Sequence, residues 1–468
     1  MLGCLGLTVA CASESPGSGN GNGSGSGGGG GAMASTGGTS GGATGGSSGN
    51  ATGGSSGSGS GGTSGGTGGA SVDAGGTGGT VVMGSGGAGG QPTTTACKFS
   101  NVMATISPKM GTVASVTWAT DLAGVTEAKI DFGLDTKYGY TAPVDLKEPM
   151  YKTLLVGMKP SKAYHYQITA KGPSGSCSSD DQMIMSGTVG GGKVAMTPAA
   201  PPDNGGWNFF LYGKYYGAGA QIIDKDGDTV WSTSSVGECS GARFSWDGKG
   251  IWLNSDNNGG GSSTVHLISL DGMTDQNLSS KFPGANHMIG PTPDGAVFVA
   301  GECGNINEYK LADGSTRTIT TTQKLGVASC HANNITYYQA DDSILLSELD
   351  SGTVTKFKRA DGTKVWQIHP GGQHGLHPLG ADDVLVYVNP NTAVEFKAGM
   401  MIWSAKASGS TQVMGDAQRL PNGNTMISSS PGGKAIEVDK DGKTVRAFSQ
   451  GSSGFSETRL SLYGPPIR

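Results

Sequence analysis

Charge is scarce in this sequence: 14% of its 468 residues are Asp, Glu, Lys or Arg, and the net charge is −5. No basic patch stands out, which argues against nucleic acid as a partner. Long apolar runs are missing too. No stretch reaches the roughly 18 residues of a spanning helix, so no membrane span is expected. None of the seven cysteines shows C-x-x-C spacing, which argues against a cysteine-rich zinc site. Histidine is equally rare, with seven copies, so the places where it does occur carry information.

Glycine, by contrast, is abundant, with 86 copies, 38 of them packed before residue 92. Residues 12–95 are rich in Gly, Ser and Thr and contain almost nothing that could form a core. Such sequence reads as a disordered, flexible linker. The segment 1–11 within MLGCLGLTVACASES is short, apolar and rich in small residues. It resembles a bacterial lipoprotein signal, which implies acylation of Cys11; the alternative is an ordinary secretory signal or an apolar stub without meaning. Either reading expects export to the bacterial cell envelope, lipid-anchored at the outer membrane or cell surface, or secreted. Membrane contact would then be through the lipid anchor only.

About 370 residues remain, enough for two domains. Residues 96–190 alternate in short strands, VASVTWAT, EAKIDFG, YKTLLVG and AYHYQITA, with turn residues about every ten positions. That pattern predicts an all-β sandwich. The stretch LLVGMKPSKAYHYQI resembles the fibronectin type III signature, with Tyr164 as the corner tyrosine and Trp118 as the core tryptophan. Cys97 and Cys177 bracket this domain and are the preferred disulfide, since export permits one. Cys239, Cys303 and Cys330 allow at most one further bridge and leave one thiol over. The sandwich reads as a spacer, with His165 a strand residue facing solvent.

From 205 to 468 a unit recurs, clearest in HMIGPTPDGAVFVAG…INEYKLADG and GDAQRLPNGNTMISS…AIEVDKDG. Unit starts fall at 240, 287, 331, 374 and 415, spaced 47, 44, 43 and 41 residues apart. Several strands per unit at this period predict a β-propeller. The segment NFFLYGK…AQIIDKDGDTVWST (208–233) lacks an inner strand, and 455–463 could supply it, so six blades close by mixing the two ends. The DKDG, LADG and RADG tracts run straight on into strands and read as hairpin turns rather than calcium loops.

His287, His331 and His374 each begin a unit, which places three imidazoles at the mouth of the central channel. His377 is out of register, and His369 and His266 fall in a loop and an outer strand. Three features of this region, HANNITYYQADDSILLS, QHG followed by a strand ending in Asn389, and AQRLPNGNTMIS, resemble the arylsulfate sulfotransferase family over 207–468. That resemblance implies transfer of a sulfuryl group from an aryl sulfate to a phenol without a nucleotide donor or other cofactor. It makes His374 the nucleophile, His331 and His287 its partners, and Asn333 and Asn389 substrate-binding residues. Where the family carries an arginine this chain has Glu348 and Leu349, and Arg459 is the candidate substitute. The chain is expected to act as a monomer. Two alternatives stay open: a catalytically silent surface propeller that binds a ligand or cell-wall polymer, and a three-histidine metal site.

Overall fold

The apolar–polar alternation of residues 99–185 folds as two antiparallel sheets. This computed structural model describes residues 97–199, 205–255, 263–282, 284–299, 304–327, 331–408, 413–430, 433–451 and 453–465. The expected lipidation site Cys11, the glycine-rich stretch 12–95, Cys303 and Cys330 lie outside the described residues.

One sheet pairs Phe99–Ile106, Ala114–Thr120 and Thr153–Leu155. The other pairs Gly139–Pro143, Glu127–Gly133, Ala163–Gly172 and Gly175–Ser178, with Gln182–Met185 also on the Ala163 strand. Inward-facing Trp118, Ile130, Phe132, Tyr164 and Ile168 meet between them. The Lys159 N–H donates to the Tyr164 hydroxyl at 2.8 Å, fixing the turn between two strands. A Cys97–Cys177 disulfide ties the two ends of this module together.

The remaining strands form antiparallel sheets of four or five, a β-propeller. Their innermost strands are Gly241–Phe244, Gly290–Thr292, Ala332–Tyr338, Gln373–Pro378, Met414–Arg419 and Ser453–Arg459. Each contacts the next in this order, and the last contacts the first. The Ser453 strand is the inner strand of the sheet begun by Phe209–Lys214, so the C-terminal segment completes the first sheet. Met196–Thr197 adds a fifth strand outside Thr444–Ser449.

Turn chemistry explains the hairpins. In DKDG, Asp224 Oδ1 accepts from the amides of Asp226 and Asp228 at 2.9 Å each, and Gly227 takes φ +84°. That is left-handed backbone, which glycine adopts without penalty.

The sandwich, expected to be a spacer, shares a core with the propeller. Met110, Val113 and Val156 pack with Phe209, Leu211, Ile222 and Trp231. Lys159 reaches three propeller carboxylates, Asp224 at 2.6 Å, Asp226 at 2.8 Å and Asp228 at 2.5 Å. Tyr463 donates its hydroxyl to the Leu154 carbonyl at 3.0 Å and accepts from the Val156 amide at 3.0 Å. All these contacts lie where the inner strands end, the opposite end from their starts.

Candidate functional site

A Gly-Gly turn with both residues at positive φ leads into the strand that carries His374. The strand then departs from regular pairing between Gln373 and Leu376. A bulge of this kind re-aims a side chain and is common beside functional sites. Gln373 is fully buried, and its amide donates to the carbonyls of Glu348 at 2.5 Å and Thr353 at 2.9 Å. From the neighbouring strand, Asn333 donates to the Gln373 carbonyl at 2.7 Å. His374 is thus held by two amide side chains anchored in the adjacent sheet.

Gly375 follows it for a steric reason. A Cβ built there would lie 2.1 Å from Asp416 Oδ1 and 2.7 Å from the Asp416 Cα. Asp416 is buried, accepts from the Ala417 and Ser456 amides, and faces Arg243 at 3.4 Å. The QHG motif therefore ends in glycine because the next inner strand leaves no room for a side chain.

His287 precedes its strand with φ +34°, an uncommon conformation for a non-glycine residue. Gly241 packs on its carbonyl, which also accepts from Ser240 Oγ at 3.2 Å. The His331 amide donates to Glu348 Oε1 at 2.6 Å. These supports bring the His287 and His331 rings to a centroid distance of 5.2 Å, with Nε2 to Nε2 at 2.9 Å. His374 is buried beside them. Burial pushes its pKa down to about 3, and the charges of His287 and His331 add to the shift. The Val413 backbone and the Asn389 side chain act in the opposite direction. His374 is therefore a neutral imidazole at any pH near neutrality.

The structure thus brings together His287, His331, His374 and Asn389. Asn333 is close by, but its amide group is committed to the Gln373 carbonyl. It braces the His374 strand. Arg459 sits elsewhere: it is the last residue of its strand, whereas Phe455, four positions earlier, is the one beside His287. At about 3.3 Å per residue those four steps carry it roughly 13 Å away. It is buried beside Glu457, donates to the Gly464 carbonyl at 2.9 Å and stacks on Phe244. It cannot stand in for the family arginine beside the three histidines.

Sequence reasoning saw Glu348 only as a replaced arginine, and it missed a second group altogether. Glu348 is fully buried, and its carboxylate accepts from the amides of His331, Asp350 and Ser351. It shapes the loop under His331. The second group is an apolar cluster of Tyr215, Met288, Met414 and Phe455, with the Phe455 ring 6.3 Å from His287. Met288 and Met414 flank unit starts, so the repeat register held the signal for them.

The other histidines play no part here. His165 bonds Asp181 and His266 bonds Asp275, each at 2.6 Å; His377 accepts from the Arg419 amide at 3.0 Å; His369 is exposed. Cys239 is a buried thiol that donates to the Gly241 carbonyl. Among the described residues, only Asp224, Asp226 and Asp228 bring three potential metal-ligand atoms within 4.8 Å of one another. The three histidines do not, which disfavours the metal reading, and Lys159 fills the carboxylate group.

The family described as outer membrane protein assembly factor BamB matches residues 317–463. No curated protein matches the chain. Among solved structures, a protein of unknown function from Bacteroides caccae is similar at 17% identity and TM-score 0.41. The similarity covers 53% of this chain and 98% of that one. A functionally unknown protein from Desulfotomaculum acetoxidans is similar at 12% identity and TM-score 0.40, over 63% and 95%. The WD40 β-propeller domain of Doa1 is similar at 11% identity and TM-score 0.37, over 58% and 88%. No described helix is long and apolar enough to cross a membrane.

Proposed function

We propose that this chain is a six-bladed propeller carried on a fibronectin type III-like sandwich, and that it transfers sulfuryl groups between phenols through His374. The supporting observation is the His287–His331 pair beside a neutral, buried His374, with an aromatic and methionine cluster adjoining it.

A His374 nitrogen attacks sulfur, forming N–S as the aryl O–S bond breaks, and the leaving phenolate takes the bond's electron pair. The paired rings, entering the step with one extra proton between them, pass it to the phenolate. An acceptor phenol then gives a proton back to the pair, its oxygen bonds sulfur, and N–S breaks. Neutral imidazole is the nucleophilic form, and positioned proton transfer contributes about 10²–10⁴-fold. The apolar cluster suits an aryl ring. No nucleotide or metal is needed. An exported monomer with a lipid on Cys11 would act on aryl sulfates and phenols in the cell envelope.

The test is turnover of p-nitrophenyl sulfate with and without added phenol. Nitrophenol release that depends on phenol, with ping-pong kinetics and loss in His374→Ala, supports the reading. Undiminished activity in His374→Ala would refute the nucleophile.

One observation favours a second reading, a silent ligand-binding propeller of the envelope. Glu348 stands where the sulfotransferase family carries an arginine, and its carboxylate is committed to backbone amides. The partial match to an outer-membrane assembly factor is compatible with such a role. Absence of turnover across a panel of aryl sulfates, with the protein folded, selects it.

A further inference from the structure

A cavity lies in the seam between the sandwich and the propeller. Its volume is about 440 Å³, within the usual range for small-molecule sites, which favour domain junctions. Val144, Leu154 and Val156 line it from the sandwich; Leu270 and Tyr463 line it from the propeller. The walls are held rigidly. Val156 and Leu270 belong to the shared core, and both hydrogen bonds of the Tyr463 hydroxyl go to sandwich backbone, leaving its ring as an apolar wall.

The rim is acidic. Asp145, Glu148, Asp247 and Asp271 line it against Lys152 and Lys249. Lys249 is already divided between Asp145 and Glu148, at 3.3 Å from each. Asp247 and Asp271 each spend one oxygen on their own turns, accepting from Ser245 and Lys249 and from Ser269 and Met273 respectively. The excess of carboxylate repels anions, and the apolar walls reject small hydrated ions. We infer that this seam is a binding site for an apolar amine, with its hydrocarbon or aryl body between Leu154, Leu270 and Tyr463 and its ammonium at Asp145 and Glu148. The inference is independent of the chemistry proposed for His374.

The test uses three probes with one phenyl body: 2-phenylethylamine, 3-phenylpropionate and 2-phenylethanol, titrated calorimetrically into the full chain. The amine should bind about tenfold more tightly than the carboxylate, a difference of about 1.4 kcal/mol. The gap should shrink at high salt, because the rim charges are exposed. Val144→Trp, at a half-buried position of the lining, should fill the cavity and remove binding without touching the shared core. Asp145→Asn with Glu148→Gln leaves Lys249 uncompensated and should reverse the order of amine and carboxylate. Equal binding of all three probes, no binding of any, or an unchanged order in the double variant overturns the inference.

Discussion

The Nε2 atoms of His287 and His331 stand 2.9 Å apart, so one ring carries a proton there and the other a lone pair. The pair therefore holds a donor and an acceptor side by side, next to an imidazole that stays neutral. Replacing either ring by alanine removes one of the two roles. His287→Ala and His331→Ala should each lower kcat/KM for an aryl sulfate by about 10²–10⁴-fold while His374→Ala removes phenol-dependent turnover. Steady-state kinetics with p-nitrophenyl sulfate measure this. Glu348→Arg, which restores the sulfotransferase family's residue type, should lower activity further, because the loop beneath His331 loses its acceptor.

The pH dependence follows from burial. His374 titrates near 3 in the folded chain and near 6.5 when exposed. The unfolded chain binds a proton in that interval that the folded chain refuses. The stabilisation from this group is thus present above about pH 6.5 and is lost as the pH falls toward 3. Asp416 runs the other way: burial raises it to about 6, so its contribution is complete below the ordinary carboxylate value and lost as the pH rises through 6. His374→Gln should gain on the wild type in urea midpoint as the pH is lowered from 7 to 4. The rate profile should show no acid limb from His374 itself above about pH 4.

Gly375→Ala should destabilise the propeller by about 1–3 kcal/mol, the usual cost of overpacking. The added methyl meets the Asp416 backbone as well as its carboxylate, so rotating one side chain cannot relieve it. Urea unfolding measures the loss.

Lys159→Met should cost about 3 kcal/mol, the low end for breaking a buried pair, since Asp224 is buried while Asp226 is partly exposed. Millimolar calcium should restore part of the loss in the variant and do nothing to the wild type, because the three carboxylates lie close enough to share a cation. Thermal melts with and without calcium read this out.

What the sequence disclosed was local or periodic. Strand alternation and the recurring turn glycines point to a propeller, and the spacing of unit starts aligns His287, His331 and His374. The bulges at Gln373 and Ala332 leave no such mark, since they appear only when two strands pair. The role of Glu348 was hidden for a related reason: its partners are backbone amides, which every residue has. Lys159 and the DKDGD turn are 65 residues apart, from Lys159 to Asp224, and nothing periodic links them. Arg459 misled because its place on the closing strand was legible, whereas the end it occupies shows only in the pairing of that strand with Phe209–Lys214.

The seat of the sandwich gives the molecule a front and a back. Tyr463, Asp224 and Leu270 fasten it behind the ring, whereas the histidines lie at the front, roughly 20 Å away along a seven-residue inner strand. With a shared core instead of a hinge, the two ends cannot swing past each other. Whatever surface the sandwich faces, the end of the ring that carries the histidines is turned away from it.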